Sequence, residues 1–285
     1  MVTKARGSLV LIGGHEDIER RCTVLQELLD LAGREKGEIV ICTAASQEQE
    51  LMARRYRDVF RRLGAERLSI LSLGDRSDAE DTVNQRLLTE AACLFFTGGD
   101  QLRIASLIGG TVLDELMHRR YAEGMVIAGT SAGASVMSDT MLAGGDGDDA
   151  PRMGMTALAP GFGFLRGVII DQHFAQRGRV GRLLAALAQN PRMLGIGIDE
   201  DTGLVIKGNL CRVIGSQTVT ILDSRRSPHS NVSDYKPQAP LAFIQVVMHV
   251  LPAGYGFRLD TREPLLPADI SRLEQPDREE GAGNK

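Results

Sequence analysis

The sequence predicts an α/β protein: a mostly parallel central sheet with helices on both faces, completed by antiparallel strands toward the C-terminal end. Three observations carry this. Short apolar runs such as Leu9-Val10-Leu11-Ile12 alternate with segments whose apolar residues recur at helical spacing. These runs are apolar throughout, as strands buried on both faces of a parallel sheet must be. Beyond Ile198 the pattern changes to short strands separated by turns, the spacing of an antiparallel meander.

In chain order, the first strand is Leu9–Ile12, ending at Gly13-Gly14. Val24, Leu25, Leu28 and Leu29 give residues 22–31 one apolar helical face, closed by Gly33. A second strand over 38–43 leads to a helix through Met52, Tyr56, Val59, Phe60 and Leu63. Strands follow at 68–73, 91–96 and 125–128, with helices at 83–90 and 104–123, the latter broken at Gly109-Gly110. Residues 142–154 are rich in Gly and Asp, with 146–149 read as a solvated flexible loop, and a Pro/Gly-rich stretch follows through Pro160 and Gly163. A strand at 168–170, a helix at 179–187 and a strand at 193–198 come next. Short strands at 204–206, 211–214 and 219–222 form the expected meander, and 244–251 adds another strand. With no repeat and no linker, residues 1–274 read as one catalytic domain and 275–285 as a disordered tail.

Composition narrows the function. The chain has 285 residues, 43% apolar and 25% charged, and a net charge of −4, which speaks against disorder and against a nucleic-acid partner. Cys22, Cys42, Cys93 and Cys211 are scattered without a C-x-x-C pair, as reduced core thiols of a cytoplasmic protein would be. No run approaches the length of a membrane span, and Leu9–Ile12 is too short for a signal-peptide core. The Gly13-Gly14-His15-Glu16-Asp17 segment lacks both G-x-G-x-x-G and a P-loop lysine, so it reads as a tight turn. The acids at 146–149 lack calcium-loop spacing. His15, His118 and His229 show no metal-ligand spacing, and His249 reads as a core residue of an apolar strand. No metal or cofactor is expected.

Chemistry concentrates at the strand ends, where ligands bind in such sheets. Gly129-Thr130-Ser131-Ala132-Gly133 has the G-x-S-x-G form of a nucleophile elbow. Such a strand-to-helix turn needs small neighbours and aims helix N-terminal amides at whatever the serine attacks. A serine of this kind needs an imidazole to take its proton. His173 stands just past the 168–170 strand, flanked by Asp171 and Gln172. The base needs an orienting acid, and Asp199, Glu200 and Asp201 follow the next strand together. Spacing alone leaves all three open. The order serine, histidine, acid differs from the α/β-hydrolases, in which the acid precedes the histidine.

Four ordered motifs, Phe96-Thr97-Gly98-Gly99-Asp100-Gln101, Gly129-Thr130-Ser131-Ala132-Gly133-Ala134, Asp171-Gln172-His173-Phe174 and Gly197-Ile198-Asp199-Glu200, together resemble the cyanophycinase family. The likeness runs from Gly13-Gly14 to about Pro264. The wider group includes aspartyl dipeptidase (peptidase E), and its fold is similar to that of the class I glutamine amidotransferases, a flavodoxin-like arrangement with serine in place of cysteine. The resemblance implies a triad of Ser131, His173 and Glu200, and a substrate-binding set of Gln101, Asp171, Gln172, Arg177, Arg179 and Arg182. It also implies a homodimer and, as substrate, cyanophycin, a poly-aspartate with arginine on each β-carboxyl, released as β-Asp-Arg dipeptides. Gly99 and Ala132, at strand ends facing Ser131, are the candidate oxyanion-hole amides. Arg179 and Arg182, one helical turn apart, are expected to face the crevice and clamp the arginine carboxylate. The alternatives are an aspartyl or isoaspartyl dipeptidase, or a non-catalytic module that binds a small amide.

Overall fold

Five apolar runs become strands: β1 (Leu9–Ile12), β2 (Ile39–Cys42), β3 (Leu68–Leu71), β4 (Cys93–Phe96) and β5 (Val126–Thr130). Between them lie α1 (Thr23–Leu31), α2 (Gln49–Arg62), α3 (Thr82–Glu90), α4 (Gln101–Ile108) and α5 (Val112–Glu123). The computed structural model describes residues 7–145, 150–234, 236 and 239–274. The strands lie parallel in the order β3-β2-β4-β5-β1. Successive side chains of each strand enter different cores: Val10 and Ile12 join the leucines of α1 and Phe60 of α2, whereas Leu9 and Leu11 join Ile104, Leu113 and Met117 of α4 and α5. That two-sided burial is why these runs contain no polar alternation.

Ser131 follows β5 and opens the single-turn helix α6 (Ala132–Ser135). Two unanticipated strands, β6 (Thr140–Gly144) and β7 (Ala157–Pro160), pair as an antiparallel ribbon at the two ends of the Gly/Asp-rich stretch. Then come β8 (Val168–Gln172), α7 (Val180–Gln189) and β9 (Leu194–Ile198). The hairpin of β10 (Thr202–Lys207) and β11 (Leu210–Gly215) joins the large sheet, with β10 antiparallel to β1.

Here the structure corrects two expectations. The large sheet is mixed rather than mostly parallel, because everything beyond β1 is antiparallel. The expected meander also divides. The strand β12 (Thr218–Asp223) leaves to pair with β9, and with β8 and β13 (Val247–Pro252) they make a separate four-stranded sheet ordered β13-β12-β9-β8. The reason is an occupied edge: the outer side of β11 is taken by β14 (Gly256–Arg258), itself paired with β15 (Glu263–Leu265), so β12 has no place there. The side chain of Asp199 also pins the start of β12, accepting from the Thr218 amide at 3.2 Å and its hydroxyl at 2.7 Å. The described chain closes with α8 (Pro267–Glu274), whose Ile270 is buried.

Smaller differences have the same origin. The strand β13 is a sheet edge, so Val247, Met248 and Val250 are exposed, and His249 is a half-buried ring against Phe257 rather than a core residue. The four cysteines are buried and unpaired. Among the described residues no helix is long and apolar enough to cross a membrane. The 146–149 acids and the 275–285 tail lie outside the described residues.

Candidate active site

The carboxyl ends of β1, β4, β5 and β8 meet at Ser131. Its backbone has φ 54° and ψ −112°, outside both helix and strand, as a sharp elbow requires. The glycines around it are spatial necessities. A Cβ on Gly129 would lie 2.2 Å from the carbonyl oxygen of Gly133, and one on Gly133 would lie 2.5 Å from that of Phe96. The Ser131 amide donates to the carbonyl of Ile12 at 2.9 Å, tying the elbow to β1. Gly98 packs against the serine, with its would-be Cβ 3.4 Å from that of Ser131. The amides of Gly99 and Ala132 have no acceptor among the described residues.

His173 takes its place directly after β8 with φ 48°, its amide donating to Gly13 at 2.8 Å. Nε2 lies 3.0 Å from Ser131 Oγ, and Nδ1 lies 2.7 Å from Glu200 Oε1. Gly14, at φ 99°, makes room for the ring: a Cβ there would sit 2.3 Å from His173 Cε1. Of the three neighbouring acids, only Glu200 faces the imidazole. Asp199 holds Thr218 and the Ala175 amide, and Asp201 accepts from the Asp17 amide at 2.8 Å. Burial pushes the His173 pKa below its ordinary value, with Glu200 opposing that shift, so the ring is held neutral and able to accept a proton. Serine, imidazole and carboxylate thus stand in a line that supports nucleophilic catalysis.

The residues expected to bind substrate divide. Gln172 is buried, and its Oε1 accepts from Ser131 Oγ at 3.2 Å. Half-buried Gln101 donates to the carbonyl of Leu142 at 2.7 Å, and Arg177 stays exposed. Arg179 and Arg182 do not face the crevice. They are 8% and 7% exposed and turn inward to Asp171, which is fully buried. Arg182 Nε donates to Asp171 Oδ2 at 2.7 Å, its terminal nitrogen bonds the other carboxylate oxygen, and a third donor reaches the Gly145 carbonyl at 2.7 Å. Arg179 donates to the Gln172 carbonyl at 2.5 Å and to Asp171 at 3.3 Å, and burial lowers its pKa to about 10. The physical reason is the carboxylate: sealed in the protein at the end of β8, it requires cations beside it.

Two participants escape sequence reasoning. Glu16 is buried beneath the elbow, accepting from Tyr56 at 2.6 Å and from Thr130, the residue before the serine, at 2.7 Å. His15 stands at the rim, its ring centroid 5.2 Å from that of His173. Their signal was the polar triplet after Gly13-Gly14, which reads equally well as an ordinary turn.

Known proteins resemble this chain over most of its length. A cyanophycinase of Geminocystis herdmanii is 38% identical over 262 residues, covering 91% of this chain and 96% of that protein. A cyanophycinase of Nostoc sp. is 37% identical over 263 residues, covering 92% and 88%. Among solved structures, a peptidase from an acI-B1 Actinobacterium superposes with a TM-score of 0.66 at 24% identity, over 90% of this chain and 98% of that one. A putative peptidase E protein from Listeria monocytogenes gives 0.50 at 13% identity, over 74% and 99%. At those identities the two structures speak for the fold alone. The profile of peptidase family S51 matches residues 9–214, which include Ser131, His173 and Glu200, and the chain belongs to that family.

Proposed function

We propose that this chain is a serine-type exopeptidase that hydrolyses cyanophycin to β-Asp-Arg dipeptides through an acyl-enzyme. The observation that carries the reading is the alignment of Ser131 Oγ, His173 and Glu200 at 3.0 and 2.7 Å on a strained elbow. The substrate is supported by the cyanophycinases that match almost the whole chain. Ser131 attacks the backbone carbonyl, and His173 takes the hydroxyl proton and returns it to the leaving amine. Glu200 holds the Nδ1–H tautomer and stabilises the imidazolium. The amides of Gly99 and Ala132 receive the oxyanion, and water then releases the acyl group. Gln101, Gln172 and exposed Arg177 line the approach to the serine and meet the polar parts of the repeat. Asp171, Arg179 and Arg182 serve substrate from behind, by fixing the strand end that carries Gln172 and His173. No metal or cofactor takes part.

The finer descriptions belong to the same proposal: a class I glutamine amidotransferase-like, flavodoxin-like core, one catalytic domain over 1–274, a homodimer, and a cytoplasmic location. Incubating the purified protein with insoluble cyanophycin and identifying the soluble products tests it. Release of β-Asp-Arg is the expected result. Cleavage of plain aspartyl or isoaspartyl dipeptides with the polymer untouched would make it a dipeptidase, and binding without turnover would make it an amide-binding module.

A further inference from the structure

His15 is a polar side chain without an assigned task. Its side chain is 69% exposed and makes no hydrogen bond among the described residues, yet its Nε2 lies 4.0 Å from Glu200 Oε1. With His173 it completes a set of three donors whose ligand atoms all lie within 4.8 Å of one another. We propose that His15, His173 and Glu200 form an inhibitory site for a divalent transition metal of the Zn2+ type. The inhibitory part rests on the exopeptidase reading; the binding part does not.

Two imidazoles and one carboxylate are the donor set that zinc takes in open three-ligand sites, and it is poorly suited to Mg2+ or Ca2+. Tetrahedral zinc with bonds of about 2.0–2.1 Å wants its ligand atoms roughly 3.3 Å apart. The His173–Glu200 pair at 2.7 Å and the His15–Glu200 pair at 4.0 Å bracket that spacing. A swing of the exposed His15 ring shortens its own spans, the half-buried Glu200 carboxylate draws back from His173 by about 0.6 Å, and water fills the fourth position. The backbones carrying the donors are already fastened together. The His173 amide donates to Gly13 at 2.8 Å, that of Asp201 to Gly14 at 3.0 Å, and that of Asp17 to the Asp201 carboxylate at 2.8 Å. The site therefore needs little ordering when the ion arrives.

Inhibition follows from the histidine tautomer. As a base, neutral His173 carries its proton on Nδ1, toward Glu200, and offers the Nε2 lone pair to Ser131. Zinc on Nδ1 claims the lone pair of that nitrogen, so the ring proton moves to Nε2. The ring stays neutral and releases no proton. Glu200 exchanges an N–H donor for the metal. Nε2 then faces Ser131 as a donor and cannot take its proton.

The test is a calorimetric titration of the tag-free protein with ZnCl2, with MgCl2 as control, on wild type, His15→Gly and His15→Ala. Glycine suits the φ of 45° at this position. Rates of cyanophycin hydrolysis are measured in parallel with and without chelator, each variant normalised to its own metal-free rate. The expected result is one Zn2+ per chain, inhibition reversed by the chelator, and a loss of at least about tenfold in both affinity and sensitivity in the His15 variants. Absence of zinc binding in the wild type, or equal binding in the His15 variants, overturns the site. Binding without inhibition overturns the tautomer step. If no preparation hydrolyses cyanophycin, the exopeptidase reading fails while calorimetry still decides the metal site.

Discussion

Among the described residues the basic group bonded to Ser131 Oγ is His173 Nε2 at 3.0 Å, and Ser135 and Ser138, the next serines along the chain, are buried. Ser131→Ala fits the small elbow, so it should fold normally and lose roughly four to six orders of magnitude in kcat. Near-wild-type turnover in the pure variant would remove this serine from the reaction. The lowered His173 pKa fixes the sign of a pH profile. The neutral base survives to lower pH than an ordinary histidine allows, so the acid limb of kcat/KM should lie below pH ~6.5. Glu200 favours the imidazolium; in Glu200→Gln the residual activity should be far lower and its acid limb displaced further downward. Asp199→Asn and Asp201→Asn leave the imidazole its partner and should move that limb little. An upward displacement in Glu200→Gln would contradict the assigned contact. Gly14→Ala tests the room made for the ring: a methyl 2.3 Å from Cε1 must displace it, lowering kcat on the order of 10²-fold with the fold intact.

At the scale of elements, the decisive contact joins the end of β8 to α7. Arg182→Ala leaves the sealed Asp171 carboxylate short of its main cation, so denaturant unfolding should show a loss of about 3–5 kcal/mol. Unchanged stability with a raised KM for cyanophycin would instead mean that this arginine turns outward to substrate. The same pair shows where sequence reading reaches its limit. Strand existence was legible because Val10, Ile41 and Phe95 lie in runs with no polar interruption, and the elbow was legible because only small residues suit it. The placement of His173 and of an acid after β9 followed from strand ends. Helical spacing put Arg179 and Arg182 on one face without saying which way that face looks, since the answer lies in Asp171, eight and eleven residues back. Likewise, no local pattern tells that β14 occupies the edge β12 would have used, or that Glu16 lies under Thr130, 114 residues away.

For the whole molecule, the question is how the two main sheets act together. Arg262, in the turn between β14 and β15, donates to Asp223 at the end of β12 at 2.7 Å and also reaches the Arg192 carbonyl, clasping one sheet to the other. Both side chains of that ion pair are nearly enclosed, at 11% and 13% exposure, so Arg262→Ala should lower stability by about 1–3 kcal/mol. Denaturation followed by far-UV circular dichroism should nevertheless stay a single transition; two steps would mean that the sheets unfold separately and that 1–274 is not one cooperative unit. Of the eight non-glycine residues with positive φ among the described residues, four, His15, Ser131, His173 and Asp201, gather around the serine. Backbone tension of this kind runs to about 1–3 kcal/mol per residue, and half of these positions stand at the end of the sheets that carries the nucleophile. Laboratory evolution toward heat resistance would therefore meet a trade-off: relaxing those four positions loosens the alignment of the nucleophile. Variants that gain melting temperature while keeping turnover should carry their changes at the opposite, amino end of the strands.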